Sequence, residues 1–250
     1  MSAWKTYTER LNTHGSTKRN ATLLREQRRL NTKLQDSLSY QVVSINNVSM
    51  NVAIIDSDNL DEKIMYSLPG ETFNAGEIVE WADHHWLITE KDAAVEVQTR
   101  VKLVQCNYLL KWIDDSDIIH EQWCVVEDGT KYMSGEYEDR DFIVTRGDSR
   151  IAITIGRNAD TVKFDREHRF LVDDPLSLKK NAYLLTKPMK AGKTYNNQGV
   201  FTFVLSETMS TDMDNFELSI ADYYSHFPLE NDNNNQEDNS SSNIGKEVWL

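Results

Sequence analysis

The chain has only two cysteines, Cys106 and Cys124, in a spacing without CxxC, which supports neither a disulfide framework nor a thiolate zinc site. Both read as reduced, packed thiols. No stretch approaches the roughly 20 apolar residues of a membrane helix, and Met1 to Thr8 contain no run of signal-peptide length. The expectation is a protein made and kept in a cytosol, with no membrane partner. On that expectation the acceptor patterns Asn20-Ala21-Thr22 and Asn47-Val48-Ser49 carry no glycan. The ten glycines are scattered, without a Walker loop, GxGxxG or GxSxG, so arguments for a phosphate cradle or a nucleophile elbow have no starting point.

The six histidines, His14, His84, His85, His120, His168 and His226, show no HExxH or other metal spacing. His84 and His85 should point to opposite sides of extended backbone. Carboxylates are abundant, but Asp114, Asp115 and Asp117 lack the alternation and terminal Glu of a calcium loop; with Asp173 and Asp174 they read as turns. Arg146-Gly147-Asp148 reads as part of a hairpin entering the Ile151 strand. No catalytic residue, metal or cofactor is expected.

A formal net charge of −13 argues against general nucleic-acid binding, which is mainly a Lys/Arg effect. The charge is uneven: residues 1–40 carry a net +5, residues 41–228 a net −14 and residues 229–250 a net −4. From Ser16 to about Ser37 good helix formers follow an available Ser or Thr cap, predicting a helix. Leu23, Leu30 and Leu34 make one narrow stripe on it, while Arg25, Arg28, Arg29 and Lys33 occupy the rest. So thin an apolar face calls for a neighbour.

From Tyr40 the period changes to two, with turn signals at regular spacing, as in sandwiches and barrels. The predicted class is mainly β: one or two small β-barrel or sandwich domains with an N-terminal helix and an extended acidic C-terminal tail. Hairpin turns are expected at Asn46-Asn47, at Ala82 to His84, at Asp114 to Asp117 and at Glu127-Asp128-Gly129. Between Arg100 and Trp112 the apolar parity switches, predicting one long strand with a bulge near Val104 that bends from one sheet into the next. Ile151, Ile153 and Ile155 alternate against Arg150, Ala152 and Thr154, and the last strand signal is Phe216 to Tyr224.

His85 to Ile88 followed by Asn107 to Leu110 is weakly echoed by Arg169 to Val172 followed by Ala182 to Leu185; a true duplication would give two barrels of similar design. The organisation expected is a basic helical arm (1–40), a first β domain (41–140), a second (141–228) and a low-complexity tail (229–250). The tail ends in Val248, Trp249 and Leu250, an apolar tip suited to docking.

Two segments, GEIVEWADHHWLITEKD with VQCNYLLKWID, and SRIAITIGRNADTVKFDREHRFLVDD with NAYLLTKPMKAGKTYNNQGVFTFVLSE, resemble β-rich neck and head-closure proteins of long-tailed phages infecting Gram-positive hosts. The likeness runs over about residues 70 to 225 and rests on fold signatures. It implies a small β-barrel adaptor in a homo-oligomeric ring, stacked between a portal or adaptor protein and a tail or tail-terminator protein. It also implies a place in the virion, assembled in the host cytoplasm. DNA would pass through the lumen without specific binding, since an acidic wall repels phosphate. On this reading Leu23, Arg25, Arg28, Arg29, Leu30, Lys33, Leu34, Val248, Trp249 and Leu250 form protein interfaces. The alternative is a tail or receptor-binding accessory module that recognises host glycan.

Overall fold

The computed structural model describes residues 3–12, 17–93, 97–128, 149–174 and 176–228. Two helices come first, α1 (Ala3–Asn12) and α2 (Lys18–Gln35). The second was legible in the sequence: the Thr17 side chain caps it by accepting from the Asn20 N–H, and it ends at Asp36. The first, Ala3–Asn12, lies ahead of the Ser16 start expected for helix and was not anticipated.

Twelve strands follow among the described residues. β1 (Tyr40–Ile45), β2 (Val48–Asp56), β3 (Glu62–Ser67), β4 (Ile78–Trp81), β5 (His84–Lys91) and β6 (Arg100–Gln105) close an antiparallel barrel in the order β1-β2-β3-β6-β5-β4. Closure comes from β1 pairing with β4, Ser44 opposite Glu80 and Ile45 opposite Val79. β7 (Tyr108–Ile113), β8 (Ile119–Asp128), β9 (Arg150–Gly156), β10 (Arg169–Val172), β11 (Asn181–Tyr195) and β12 (Gln198–Thr208) form a second sheet in the order β10-β11-β12-β9-β8-β7. This sheet curls until its edge strands meet, where the Tyr108 hydroxyl on β7 donates to the Leu171 carbonyl on β10 at 3.0 Å.

Local chemistry explains the turns. Asn46-Asn47, Ala82-Asp83 and Asn196-Asn197 all have positive φ at both positions, the geometry of two-residue hairpins whose twist matches the flanking strands. The β4–β5 connection is therefore two residues, and His84 already belongs to β5. Asp114 to Asp117 does join β7 to β8. Glu127 and Asp128 lie inside β8, paired with Ala152 and Ile151, while Gly129 and the Arg146-Gly147-Asp148 tripeptide lie outside the described residues.

Three expectations are corrected. Residues 100–112 are not one bulged strand: the chain breaks at Cys106-Asn107, where the Cys106 N–H donates to the His85 carbonyl and the Asn107 N–H to the Cys124 carbonyl. The change of sheet falls at this break, so residues 108–128 belong with the second sheet. The Phe216–Tyr224 strand is absent. Ser219 and Asp222 have left-handed backbone, and the segment forms turns, a single bridge from Asn215 to Ile220 and a short helix α3 (Tyr223–His226). Nor are the echoed segments equivalent. The β10 and β11 segments pair with each other, whereas the β5 and β7 segments lie in different sheets.

The two sheets share a seam. In β5, Trp86 and Ile88 fill the barrel while Leu87 points out into a second cluster with Cys106, Val125 and Val200. Burial on both faces makes HWLIT read as a continuous apolar run. His85 stacks on Trp123 across the same seam, ring centroids 4.2 Å apart. Gly76, Gly156 and Gly199 bring the two backbones together: the Gly199 N–H donates to the Ala75 carbonyl at 2.8 Å, and a side chain on Gly156 would run into the Gly76 carbonyl.

Candidate functional site

The densest polar cluster gathers at the β7–β8 turn. Asp114 Oδ1 accepts from the backbone N–H groups of Ser116 (2.9 Å) and Ile118 (3.0 Å), closing the turn. Its Oδ2 lies 3.2 Å from His120 Nε2 and 3.4 Å from Lys163 Nζ. Asp160 completes the group, 3.5 Å from His120 Nδ1 and 3.3 Å from Lys163 Nζ. The Ile118 N–H above all, with His120 and Lys163 adding, holds the Asp114 carboxyl far below its ordinary range against the opposing effect of burial. Asp114, His120 and Asp160 have metal-ligand chemistry within reach of one another. The Lys163 ammonium already faces both carboxylates and offsets part of their charge. Through Asp114 Oδ1 the cluster closes the β7–β8 turn.

A second cluster pins the C-terminal segment. Arg169 on β10 grips Asp214 through two bonds of 3.1 and 2.9 Å, and also donates to Asp222, to Thr211 Oγ1 and to the Met209 carbonyl. The Asp214 side chain is fully buried, and it accepts from the N–H groups of Thr211 (2.7 Å) and Asp222 (2.9 Å). Every polar atom here serves another part of the fold. Sequence reasoning missed the pin, because the partners lie 45 residues apart and follow no motif.

Burial pushes the Cys106 thiol up to about 12 and raises Cys124 further, so neither is a nucleophile at neutral pH. Both should resist a disulfide reagent at pH 8 while the protein is folded and react fully once it is unfolded in denaturant. Rapid labelling of the native protein, followed spectrophotometrically, would contradict this placement.

The predicted interface residues divide by location. Val248, Trp249 and Leu250 lie outside the described residues. On α2, no residue is buried along the whole helix. Arg25, Arg28, Arg29 and Lys33 are exposed, and Arg29 pairs with Glu26 at 2.6 Å. Leu23, Leu30 and Leu34 fall on one line at helical spacing. The same spacing places Lys33 beside that line and sends Arg25, Arg28 and Arg29 to the far side.

The helix joins β1 through only Ser37 to Ser39, and the Ser39 carbonyl accepts from the Ile54 N–H of β2. Its exit therefore lies at the barrel end from which the β2–β3 loop emerges, since Asp56 is only two residues beyond Ile54. That end is both apolar and acidic. Leu38 is 99% exposed and Leu60 is 89% exposed; Asp56, Asp58, Asp61 and Glu62 surround Leu60 in sequence. Asp56 binds Lys63 at 2.8 Å and Glu62 binds Lys102 at 2.7 Å, while Asp58 and Asp61 have no basic partner among the described residues. The loop borders a polar groove of about 460 Å³ lined by Asp58, Glu62, Glu90, Asp92, Arg100 and Lys102 among others.

No helix among the described residues is long and apolar enough to cross a membrane. No protein-family model matches the chain, and neither does any curated protein or solved structure.

Proposed function

We propose that the chain is a non-enzymatic structural protein of a tailed-phage particle, forming a ring in the head-to-tail neck that joins portal to tail and gives passage to DNA. The observation that carries this reading is α2, a basic 18-residue helix with no buried residue, attached to an acidic all-β body. An exposed helix with so little apolar surface is marginal by itself and is stabilised by a partner. The described polar clusters are occupied with holding turns and segments, which suits an assembly protein better than a catalyst. The resemblance to neck and head-closure proteins supplies the location, in the virion after assembly in the host cytoplasm. The acidic body is compatible with a lumen that does not retain DNA.

Negative-stain microscopy of the purified protein, with antibody labelling of whole particles, tests this. The expected result is rings with a central opening and label at the head–tail junction. A monomer in stain together with label elsewhere on the particle would sink the reading. Label at the tail tip with a positive glycan array would instead establish the receptor-binding alternative, which the exposed aromatics Trp4, Tyr7 and Tyr195 favour.

A further inference from the structure

We infer that the leucine stripe of α2 is received by the acidic β2–β3 loop of a second copy of this chain, with Leu60 at the centre of the contact. This deepens the ring reading by naming which surface of one subunit meets which surface of the next. Both halves are incomplete as they stand. Leu23, Leu30 and Leu34 are half-buried on a helix with no fully buried residue, and Leu60 projects into solvent at the barrel end that also carries Leu38 and Ile55. Neither surface is closed within one chain, and the contact is made between chains.

Charge selects the occupant. Lys33 has no acidic partner among the described residues and flanks the stripe; Asp58 and Asp61 have no basic partner there and flank Leu60 in sequence. Among the exposed apolar side chains of the body, Leu176 and Leu178 precede Lys179 and Lys180, and Met189 lies between Lys187 and Lys190. Ile118 and Ile119 follow an acidic turn but are only about half exposed, and Asp114 and Asp117 there already have partners in Lys163 and His226. Leu60, at 89%, is more exposed and has carboxylates on both sides in sequence. Packing the stripe on it removes apolar area from water at the centre, while the Lys33–Asp58/Asp61 pairs at the rim fix the register and discourage the wrong surfaces. The near side of α2 makes the contact, so Arg25 and Arg28 on its far side are spectators.

Charge reversal in the full-length protein, read by sedimentation equilibrium, tests the contact. Lys33→Glu should weaken self-association about tenfold, as should Asp58→Lys with Asp61→Lys. Combining the three changes should return it to within about threefold of the parent. Leu60→Ser should also weaken it about tenfold, and Arg25→Glu with Arg28→Glu should leave it within about threefold. The inference is overturned if the parent is monomeric, if either reversal has no effect, or if the combined variant associates no better than the two it combines. It is equally overturned if the far-side reversal is as damaging as the near-side one. Rings at the neck that assemble normally from the reversed variants would overturn this contact and leave the ring reading standing, whereas tight reversible association without rings in particles would do the opposite.

Discussion

Replacing Arg169 with alanine is expected to cost about 3–5 kcal/mol, the range for breaking a buried ion pair by removing one partner. The reason lies in what remains. Asp214 is fully buried, and without the guanidinium its charge keeps only the N–H groups of Thr211 and Asp222. The Asp222 carboxylate and the Met209 carbonyl lose their donor in the same step. Residues 209–228 should therefore loosen before the sheets do, visible as new proteolytic cleavage in that segment and a lower thermal midpoint. A variant that melts with the parent would show that the pin contributes nothing. The pH dependence has a definite sign. Burial pushes the Asp214 carboxyl upward, but the two N–H groups and Arg169 outweigh it, leaving its pKa below the ordinary carboxylate value. A lowered folded-state pKa means the unfolded chain binds the proton first. The stabilisation is then present in full above the ordinary carboxylate pKa and is lost as pH falls through the lower folded value. Asp114 acts in the same direction. The parent should lose stability below about pH 4 to 5, and the Arg169→Ala variant should show a shallower loss there.

Gly76→Ala should be comparably damaging, by about 3 kcal/mol, through the seam instead of a charge. Gly76 has φ +93°, which alone strains an L-residue by about 1–2 kcal/mol. An added Cβ would also lie 2.1 Å from the Gly199 carbonyl oxygen and 3.3 Å from the Arg157 nitrogen, both backbone atoms. No rotamer change relieves that overlap, so the barrel and the second sheet must separate locally, at a further cost of about 1–3 kcal/mol. Gly70 provides the internal control. It has nearly the same φ, +95°, with nothing within 4 Å of its added Cβ. Equilibrium denaturation should then show Gly70→Ala losing only the backbone contribution. Equal losses at the two positions would mean that the seam yields without resistance.

What the sequence determined by itself is whatever depends on neighbours a few residues apart. Period-two alternation announces a strand because successive side chains face opposite ways. Paired asparagines announce a tight hairpin because they tolerate positive φ, and Thr17 announces a helix start because its hydroxyl reaches an N–H three residues on. The exposed, basic character of α2 was legible for the same reason. The tertiary structure alone decided which strand pairs with which, because antiparallel pairing is indifferent to the distance between partners along the chain. Thus the parity switch after Val104 was visible, yet only the competition of β5 and β8 for the backbone at Cys106-Asn107 shows that the strand ends there and the chain changes sheet. The Arg169–Asp214 pin and the Gly76–Gly199 approach were invisible for the same physical reason. Each joins residues more than 40 positions apart whose chemistry looks ordinary until folding excludes water and every other partner.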